Sequence, residues 1–133
     1  WAEKRAKKKA RFEQGETYRK RLFKKAWELQ SKAMRKWAAR RDGYVQCYTC
    51  GKVMRWQDAH IGHYFHGRLD FDPRNLRIQG ACCNTYKHGN LAVYGAKLAE
   101  EGIDLKQLRR DAEEKGNDYS IAELKEIIDK FTL

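Results

Sequence analysis

The sequence predicts a mostly helical α+β fold, with a small β core between a long basic helix and a C-terminal pair of helices. Three observations lead to this prediction. They are a long amphipathic stretch without proline or glycine, a series of short β-prone segments separated by glycines, and a return of helical periodicity towards the C-terminus. The length of 133 residues is typical of a single domain.

The long helix is predicted over residues 17–41. No proline or glycine interrupts this stretch, and its apolar residues recur every three or four positions. They are Leu22, Phe23, Ala26, Leu29, Ala33, Met34 and Trp37. Upstream, the segment EKRAKKKARF contains good helix formers but little apolar surface, so we expect it to be frayed or extended unless a partner orders it.

The β core follows the long helix. Short β-prone runs lie around residues 44–48, 53–56 and 59–65, and the glycines between them predict irregular β structure around a pair of cysteines. The next segment, FDPRNLRIQG, contains Pro73, the only proline of the chain, and is predicted to be a loop.

Helical periodicity returns from Cys82 to about Glu101. This pattern is predicted to be interrupted near Gly89. It is predicted to end at Gly102, because glycine suits the left-handed residue that follows many helices.

Two further short helices are predicted at residues 105–115 and 121–131. The second begins with SIAE, a capping box in which the side chains of Ser120 and Glu123 each bond the other's backbone N–H. We expect this acidic pair of helices to pack on the core or to form the interface of a homodimer rather than to bind a polyanion.

Positive charge is concentrated at the N-terminal end. Residues 1–41 carry 16 Lys and Arg against 4 Asp and Glu, whereas residues 99–133 carry 6 against 10. The formal net charge of +11 predicts a polyanionic partner, and DNA before a membrane because no apolar run approaches the length of a bilayer span. No signal-peptide segment is evident either. Phosphate contacts should give salt-sensitive and largely sequence-independent binding.

The candidate DNA-binding residues form two groups. The basic arm contributes Lys7, Lys8, Lys9, Arg19, Arg21, Lys24, Lys25, Arg35, Arg40 and Arg41. Three others, Arg68, Arg77 and Lys87, lie close in sequence to the candidate catalytic residues and could clamp phosphates. They could equally be solvated surface charges.

Four cysteines indicate a structural zinc site. Cys47 and Cys50 form a C-x-x-C pair followed by glycine, which is typical of a zinc knuckle. Cys82 and Cys83 could complete a tetrahedral Zn²⁺ site, although Gly80 stands where the first cysteine of a second C-x-x-C pair would be.

Several alternatives therefore stay open for this site. Cys82 or His66 could replace the missing cysteine, or the site could have only three cysteines. The cysteines could also be small buried apolar residues that bind no zinc.

Histidines indicate a second metal site. His60 and His63 lie close together on a predicted strand, and if residues 82–89 are helical, Asn84 and His88 share one helix face. Such a pocket of neutral nitrogen and oxygen ligands suits a divalent ion, Mg²⁺ or Mn²⁺. The ion would polarise a phosphate while a neutral histidine accepts a proton from the attacking water.

The order of these motifs resembles the HNH (ββα-metal) nuclease superfamily. The motifs are C-x-x-C, H-x-G-H-Y, N-L-R, C-N and H-G-N, and they are most similar to those of the phage NinG and Rap recombination endonucleases. The resemblance covers residues 42–102. It implies a ββα-metal nuclease core with a zinc knuckle at 42–102. This core would lie between the basic DNA-binding arm at 1–41 and the C-terminal helical pair at 103–133, which charge and periodicity predict.

The resemblance also implies a role for each matching residue. His63 takes the place of the general base, and Asn75 that of the asparagine that fixes the base through backbone contacts. The expected ligands of the catalytic ion are His60, Asn84 and His88. Asp58 is a weaker rival of His60, and His66 has no assigned role beyond a surface or supporting one.

The sequence thus favours a metal-dependent DNA endonuclease that acts on branched or recombination intermediates, in the cytoplasm of a bacterial host if phage-encoded. One alternative is a non-catalytic zinc module that binds nucleic acid through the basic arm. Another is a restriction or homing HNH nuclease, which would need a specificity module. The endonuclease hypothesis and the zinc-module hypothesis differ at His63, since only the endonuclease requires this residue for activity.

Overall fold

A computed structural model describes residues 1–114 and 118–132 of the chain. The helices are α1 (Ala2–Ala38), α2 (Leu91–Glu100), α3 (Leu105–Glu114) and α4 (Ile121–Phe131), and the strands are β1 (Tyr44–Gln46), β2 (Val53–Arg55), β3 (His60–His63) and β4 (Leu76–Gln79). Short helical turns cover Trp56–Asp58, Pro73–Asn75 and Cys82–Tyr86. The mostly helical α+β class is therefore confirmed, with the strands in two small antiparallel sheets.

The contacts divide the chain into two compact units. One contains Trp1–Gln30 and Tyr119–Leu133, and the other contains Ser31–Asp118. This grouping differs from the division into 1–41, 42–102 and 103–133. The last turns of α1 have their contacts in the larger unit, and α4 has its contacts with the first part of α1.

In the smaller unit, α1 and α4 bury apolar side chains. Ala26 of α1 and Leu124 of α4 are fully buried, and the rings of Phe23 and Tyr119 have centroids 6.3 Å apart. The predicted capping box at the start of α4 is confirmed: the Ser120 hydroxyl accepts from the Glu123 N–H at 3.1 Å, and the Glu123 carboxylate accepts from the Ser120 N–H.

The lysine-rich segment at residues 3–12 is helical from end to end. The prediction that it would be frayed or extended is wrong. Its alanines, lysines and arginines are good helix formers, and no proline separates it from the rest of α1, so the helix propagates through it.

Two antiparallel hairpins build the β part of the larger unit. Val45 of β1 lies opposite Met54 of β2, and Ile61 of β3 lies opposite Ile78 of β4. The N–H of Tyr48 donates to the carbonyl of Ile78 at 2.8 Å, which links the turn between β1 and β2 to β4.

Strand β4 lies in the segment FDPRNLRIQG, for which the sequence predicts a loop. That prediction is wrong for residues 76–79. The Asp72 carboxylate accepts the N–H of Arg74 at 2.9 Å and Pro73 begins a tight helical turn, after which the chain reverses and pairs with β3. A four-residue strand has little local signal, because its stability comes from its partner.

The core of the larger unit lies between the β3–β4 hairpin, α2 and α3. Its fully buried members include Leu76, Tyr94, Leu98 and Leu108. The Tyr94 hydroxyl donates to the carbonyl of Gly62 at 2.8 Å, so this ring both fills the core and satisfies a backbone acceptor of β3.

Helix α2 is bounded as predicted. The interruption near Gly89 is a run of left-handed residues, with φ of 49° at His88, 92° at Gly89 and 50° at Asn90. Gly102 follows α2 with φ of 90° and donates its N–H to the carbonyl of Ala99, which confirms the predicted glycine cap.

Helix α4 covers Ile121–Phe131 as predicted, whereas α1 ends at Ala38, before the predicted end at Arg41. Helix α3 covers Leu105–Glu114, and the predicted end at Lys115 lies outside the described residues. Within the ranges 1–114 and 118–132, no helix is long and apolar enough to cross a membrane.

Candidate functional site

Three cysteines from two separate turns of the larger unit lie close together. Cys47 follows β1, Cys50 lies in the turn before β2, and Cys83 lies in the Cys82–Tyr86 turn. Their sulfur atoms all lie within 4.8 Å of one another. Zn–S bonds of about 2.3 Å place neighbouring sulfurs about 3.8 Å apart, so the cluster could hold a metal ion such as zinc.

Hydrogen bonds prepare one of these thiols to ionise. Burial acts to raise the pKa of Cys47, but the Thr49 hydroxyl and the backbone N–H groups of Gly80, Cys50 and Thr49 lower it to about 6. The Thr49 hydroxyl lies 3.4 Å from the Cys47 sulfur. A thiolate is the form that binds a metal, so this environment suits a ligand.

Cys82 does not join the cluster. It is exposed, whereas its neighbour Cys83 is buried. Consecutive residues of a helical turn point in different directions, so only one of two adjacent cysteines can face the Cys47–Cys50 pair. The four-cysteine site of the sequence prediction is thus reduced to three in the structure.

On one side of β3, His60 meets Asn84. The Asn84 amide nitrogen lies 3.1 Å from His60 Nδ1, and this contact joins the strand to the Cys82–Tyr86 turn. His88 does not continue the pattern, because the helical turn stops at Tyr86 and His88 is an exposed left-handed residue. The helix face that Asn84 and His88 were expected to share is therefore absent.

His63 lies at the other end of β3, opposite Leu76 of β4. Its side chain is 16% exposed, and its Nε2 lies 3.6 Å from Asp70 Oδ1. Burial lowers the pKa of His63, against the opposing effect of the Asp70 carboxylate. The imidazole is therefore neutral at neutral pH.

The loop after β3 brings a further histidine to His63. The rings of His63 and His66 have centroids 5.3 Å apart. One ligand atom from each of His63, His66 and Asp70 lies within 4.8 Å of the others, a geometry that could also hold a metal ion.

Asn75 fixes this loop. It is fully buried, and its side chain donates to the carbonyls of Phe65 (2.7 Å) and Leu69 (3.0 Å) and accepts from the N–H of Phe65 (2.8 Å). These backbone bonds hold both sides of the segment that carries His66. An asparagine that acts through backbone contacts was the expectation for this position.

The two histidines of β3 lie in different surroundings. Side chains alternate between the faces of a strand, so residues 60 and 63 leave β3 on opposite faces. His60 accordingly contacts Asn84, and His63 lies beside Asp70. The single pocket expected from the sequence is thus two polar groups on either side of one strand.

A family model described as the Bacteriophage Lambda NinG protein matches residues 1–132. The chain belongs to the NinG family. Relatives of this NinG-family chain include the ninG proteins of Escherichia phage 933W, 37% identical over 73 residues, and of Salmonella phage P22, 40% identical over 65 residues. These matches cover 48% and 45% of this chain and 35% and 31% of the relatives, so the chain spans about a third of their length. No solved structure matches the chain.

The predicted DNA-binding residues of this NinG-family chain have unequal surroundings. Arg35 donates to the carbonyls of residues 56, 57 and 59 at 3.3–3.4 Å, and Arg77 pairs with Glu101 at 3.0 Å. Arg68 donates to the carbonyl of Asp118. Arg19 pairs with a carboxylate of its own helix. The exposed members are Lys7, Lys8, Lys9, Arg21, Lys24, Lys25, Arg40, Arg41 and Lys87.

Sequence reasoning missed Asp70 in this NinG-family chain. Asp70 follows His63 by seven residues, but the residues between them form neither a helix nor a strand, so the spacing alone predicts no contact. Its position beside the histidine depends on the fold of the intervening loop, where the N–H of Gly67 donates to Asp70 at 2.9 Å. The only sequence signal was the carboxylate itself, and nothing local pointed it at His63. The rival ligand Asp58 instead pairs with Arg55.

Proposed function

We propose that this chain is a metal-dependent endonuclease of the HNH (ββα-metal) type that hydrolyses phosphodiester bonds in DNA. The observation that carries the proposal is the setting of His63. This partly buried imidazole lies beside the Asp70 carboxylate, on a strand whose following loop is held by Asn75. A positioned general base requires such a setting.

His63 is suited to accept a proton from an attacking water. Its lowered pKa keeps the ring neutral at neutral pH, so a ring nitrogen has a lone pair available. The carboxylate of Asp70, 3.6 Å from Nε2, would stabilise the positive ring once the proton has been accepted.

The local architecture also supports the proposal. Strands β3 and β4 form an antiparallel hairpin, and the Cys82–Tyr86 turn that follows contacts both strands. This is the order of two strands and a helical element that the resemblance to HNH nucleases implies. The cysteine cluster would hold the helical turn against the rest of the core, as a structural zinc site does.

His60 and Asn84 are the proposed ligands of the divalent ion. Their polar atoms lie 3.1 Å apart, and a half-turn of the Asn84 amide would offer its oxygen in place of its nitrogen. An amide oxygen suits Mg²⁺ or Mn²⁺. A divalent ion bound there would polarise the scissile phosphate and stabilise the leaving oxygen. The His63 side chain projects from the opposite face of β3. A phosphate that contacts both the ion and His63 would therefore lie at the edge of the strand.

The exposed basic residues of α1 are the proposed DNA contacts. Their positive charge would bind phosphates without reading sequence. Branched or recombination intermediates are the proposed substrates, as the resemblance to phage NinG and Rap endonucleases implies. A host cell infected by a phage is the corresponding setting, since the family model describes a phage protein.

A second candidate is a non-catalytic zinc module that binds nucleic acid. The observation that favours it is that the cysteine cluster and the exposed basic residues need none of the histidines. In that case His63 would serve the fold alone.

The test is a cleavage assay on labelled linear, forked and four-way DNA, with Mg²⁺, with Mn²⁺ and with EDTA. Wild type is compared with His63→Ala, with Thr85→Ala as a control at an exposed residue beside Asn84. Circular dichroism and DNA binding are measured on the same samples to establish that each variant is folded.

We expect metal-dependent cutting by the wild type and by Thr85→Ala, with a loss of at least about a hundredfold in His63→Ala and unchanged DNA binding. The ranking of the three DNAs would then show whether branches are preferred. Folded proteins that bind every DNA and cut none under either metal would instead establish the binding module.

A further inference from the structure

The cysteine cluster offers three sulfur ligands, whereas structural zinc sites are nearly always four-coordinate. The sequence explains the shortage. Gly80 precedes Cys83 by three positions, where a second C-x-x-C pair would have its first cysteine. Because Cys82 is exposed and outside the cluster, it does not make up the difference.

The space beside Gly80 holds the end of another sulfur-containing side chain. A Cβ atom added to Gly80 would lie 2.9 Å from Cε of Met54 and 3.4 Å from its Sδ. Gly80 is buried and has no left-handed φ. The thioether of Met54 therefore lies where a side chain at position 80 would project.

Position 80 also adjoins the cluster. The N–H of Gly80 forms a hydrogen bond to the Cys47 sulfur. Met54 belongs to β2, the strand that follows the Cys47–Cys50 turn, and it is less exposed than its neighbours Val53 and Arg55. Its side chain is thus turned inward, from the same hairpin that carries two of the thiolates.

We propose that Met54 is the fourth ligand of the metal held by Cys47, Cys50 and Cys83, with its thioether sulfur in the place of the thiolate that Gly80 lacks. The inference rests on the cysteine cluster and is independent of nuclease activity. A thioether is neutral and soft, so the site carries one negative charge fewer than four thiolates would give. It should bind zinc more weakly than a four-cysteine site and should favour softer ions such as Cd²⁺ and Cu⁺.

The direct test uses the selenium analogue of methionine. The chain contains two methionines, Met34 and Met54, so the Met34→Leu variant grown in selenomethionine carries selenium at position 54 alone. The full chain is loaded with zinc or cadmium, and X-ray absorption fine structure is recorded at the selenium edge and at the metal edge. This measurement needs no change at Met54 other than sulfur to selenium.

We expect the selenium spectrum to contain the metal at bonding distance, and the metal spectrum of the sulfur protein to contain four sulfur neighbours. A selenium surrounded by carbon alone would overturn the proposal. So would a metal shell of three sulfurs and one oxygen, or a shell of four sulfurs that loses one in Cys82→Ser.

Affinity provides a second readout. Met54→Leu, which keeps the apolar volume, should weaken zinc binding by at least about tenfold in a competition titration with a chromophoric chelator. Met34→Leu is the matched control and should leave the affinity unchanged. Adding Gly80→Cys to Met54→Leu should restore and exceed wild-type affinity, because a thiolate then takes the fourth position. Equal affinities of Met54→Leu and wild type would count against Met54 as a ligand.

Discussion

The side chain of Gln79 lies directly against the backbone of Gly62, so that a Cβ atom added to Gly62 would overlap its amide group. Gln79 is fully buried, and its amide donates to the Thr49 hydroxyl at 3.1 Å and to the carbonyl of Gly89 at 2.8 Å. The absence of a side chain at position 62 is therefore what lets β4 bridge to the cysteine turn and to the left-handed turn before α2.

Gly62→Ala should destabilise the protein. The new methyl group must displace Gln79 and break its two buried hydrogen bonds, which costs about 2 kcal/mol or more. Urea unfolding at neutral pH measures the change. Gly15→Ala is the matched control: it lies within α1 with no atom near its Cβ position, so alanine should stabilise by about 0.5–1 kcal/mol. A Gly62→Ala protein as stable as wild type would contradict this account of Gln79.

The ion pair between Arg77 and Glu101 should make stability depend on pH. Hydrogen bonds from Arg77, and then from the Tyr48 hydroxyl, hold the pKa of Glu101 below its usual value of 4.5. A carboxylate whose pKa falls on folding adds stability that is present above the unfolded-state pKa and is lost as pH falls through the folded-state pKa. The contribution is therefore complete at pH 7 and fades below about pH 4.5.

Glu101→Gln should accordingly lower the free energy of unfolding by about 0.5–1 kcal/mol at pH 7, since the pair is partly exposed. The loss should shrink at pH 3. Urea titrations at the two pH values measure the difference, with Glu100→Gln as the exposed neighbour control. The same loss of unfolding free energy at both pH values would mean that the charge of Glu101 does not stabilise the fold.

Replacing Lys7, Lys8 and Lys9 together by glutamine should weaken DNA binding at every sequence. Each phosphate contact contributes about 0.9 to the slope of log affinity against log salt concentration, so the slope should fall by up to about 3. Fluorescence anisotropy across a salt series measures it. Arg35→Gln removes a charge from the same helix but breaks bonds to backbone carbonyls, so it should lower stability and leave the slope unchanged. An equal slope for the triple variant and wild type would show that these lysines do not contact DNA phosphates.

The proposed ion site predicts a ranking of variants. His60→Ala and Asn84→Ala should each raise the Mn²⁺ concentration needed for half-maximal DNA cleavage by about tenfold or more, because their polar atoms adjoin. His88→Ala should have a smaller effect, since His88 is exposed on the left-handed turn. Cleavage rates over a Mn²⁺ titration give the values, and a larger effect of His88→Ala than of Asn84→Ala would place the ion elsewhere.

Excess zinc should inhibit the proposed nuclease. His63, His66 and Asp70 could together hold a zinc ion, and an imidazole bound to zinc would be a poorer proton acceptor. His66→Ala removes one ligand and should raise the inhibitory zinc concentration by about tenfold or more without abolishing cleavage in Mn²⁺. Rates over a zinc titration are the measurement, and equal inhibition of the variant and wild type would show that zinc acts at another place.

Helices and their ends could be predicted from the sequence because their signals are local. The periodicity of α1, the SIAE capping box of α4 and the glycine after α2 each lie within a few residues. Strand β4 has no such signal: Leu76–Gln79 becomes a strand only because β3 is there to pair with it. The helical form of residues 3–12 was missed for the opposite reason. The prediction required apolar surface that could pack, whereas helix propensity alone is enough to extend an existing helix through such a segment.

The candidate site divides in the same way. The pairing of Cys47 and Cys50 with a later cysteine could be read from spacing, but the choice of Cys83 over Cys82 depends on the direction of one helical turn. The contact between His60 and Asn84 was within reach of pattern analysis, whereas the approach of Asp70 to His63 requires the folded loop. Left-handed residues at 88–90 broke the helical spacing on which the role of His88 was based.

The contact between Phe23 and Tyr119 joins two segments that lie far apart in the sequence and has a consequence for synthesis on the ribosome. Residues 1–30 emerge long before α4 is translated. Their apolar side chains therefore stay exposed while the larger unit is made. Contacts so distant in sequence close slowly, because loop closure costs entropy before any contact repays it. Residues 1–30 thus complete their fold only after α4 has been translated, although they leave the exit tunnel before the larger unit does.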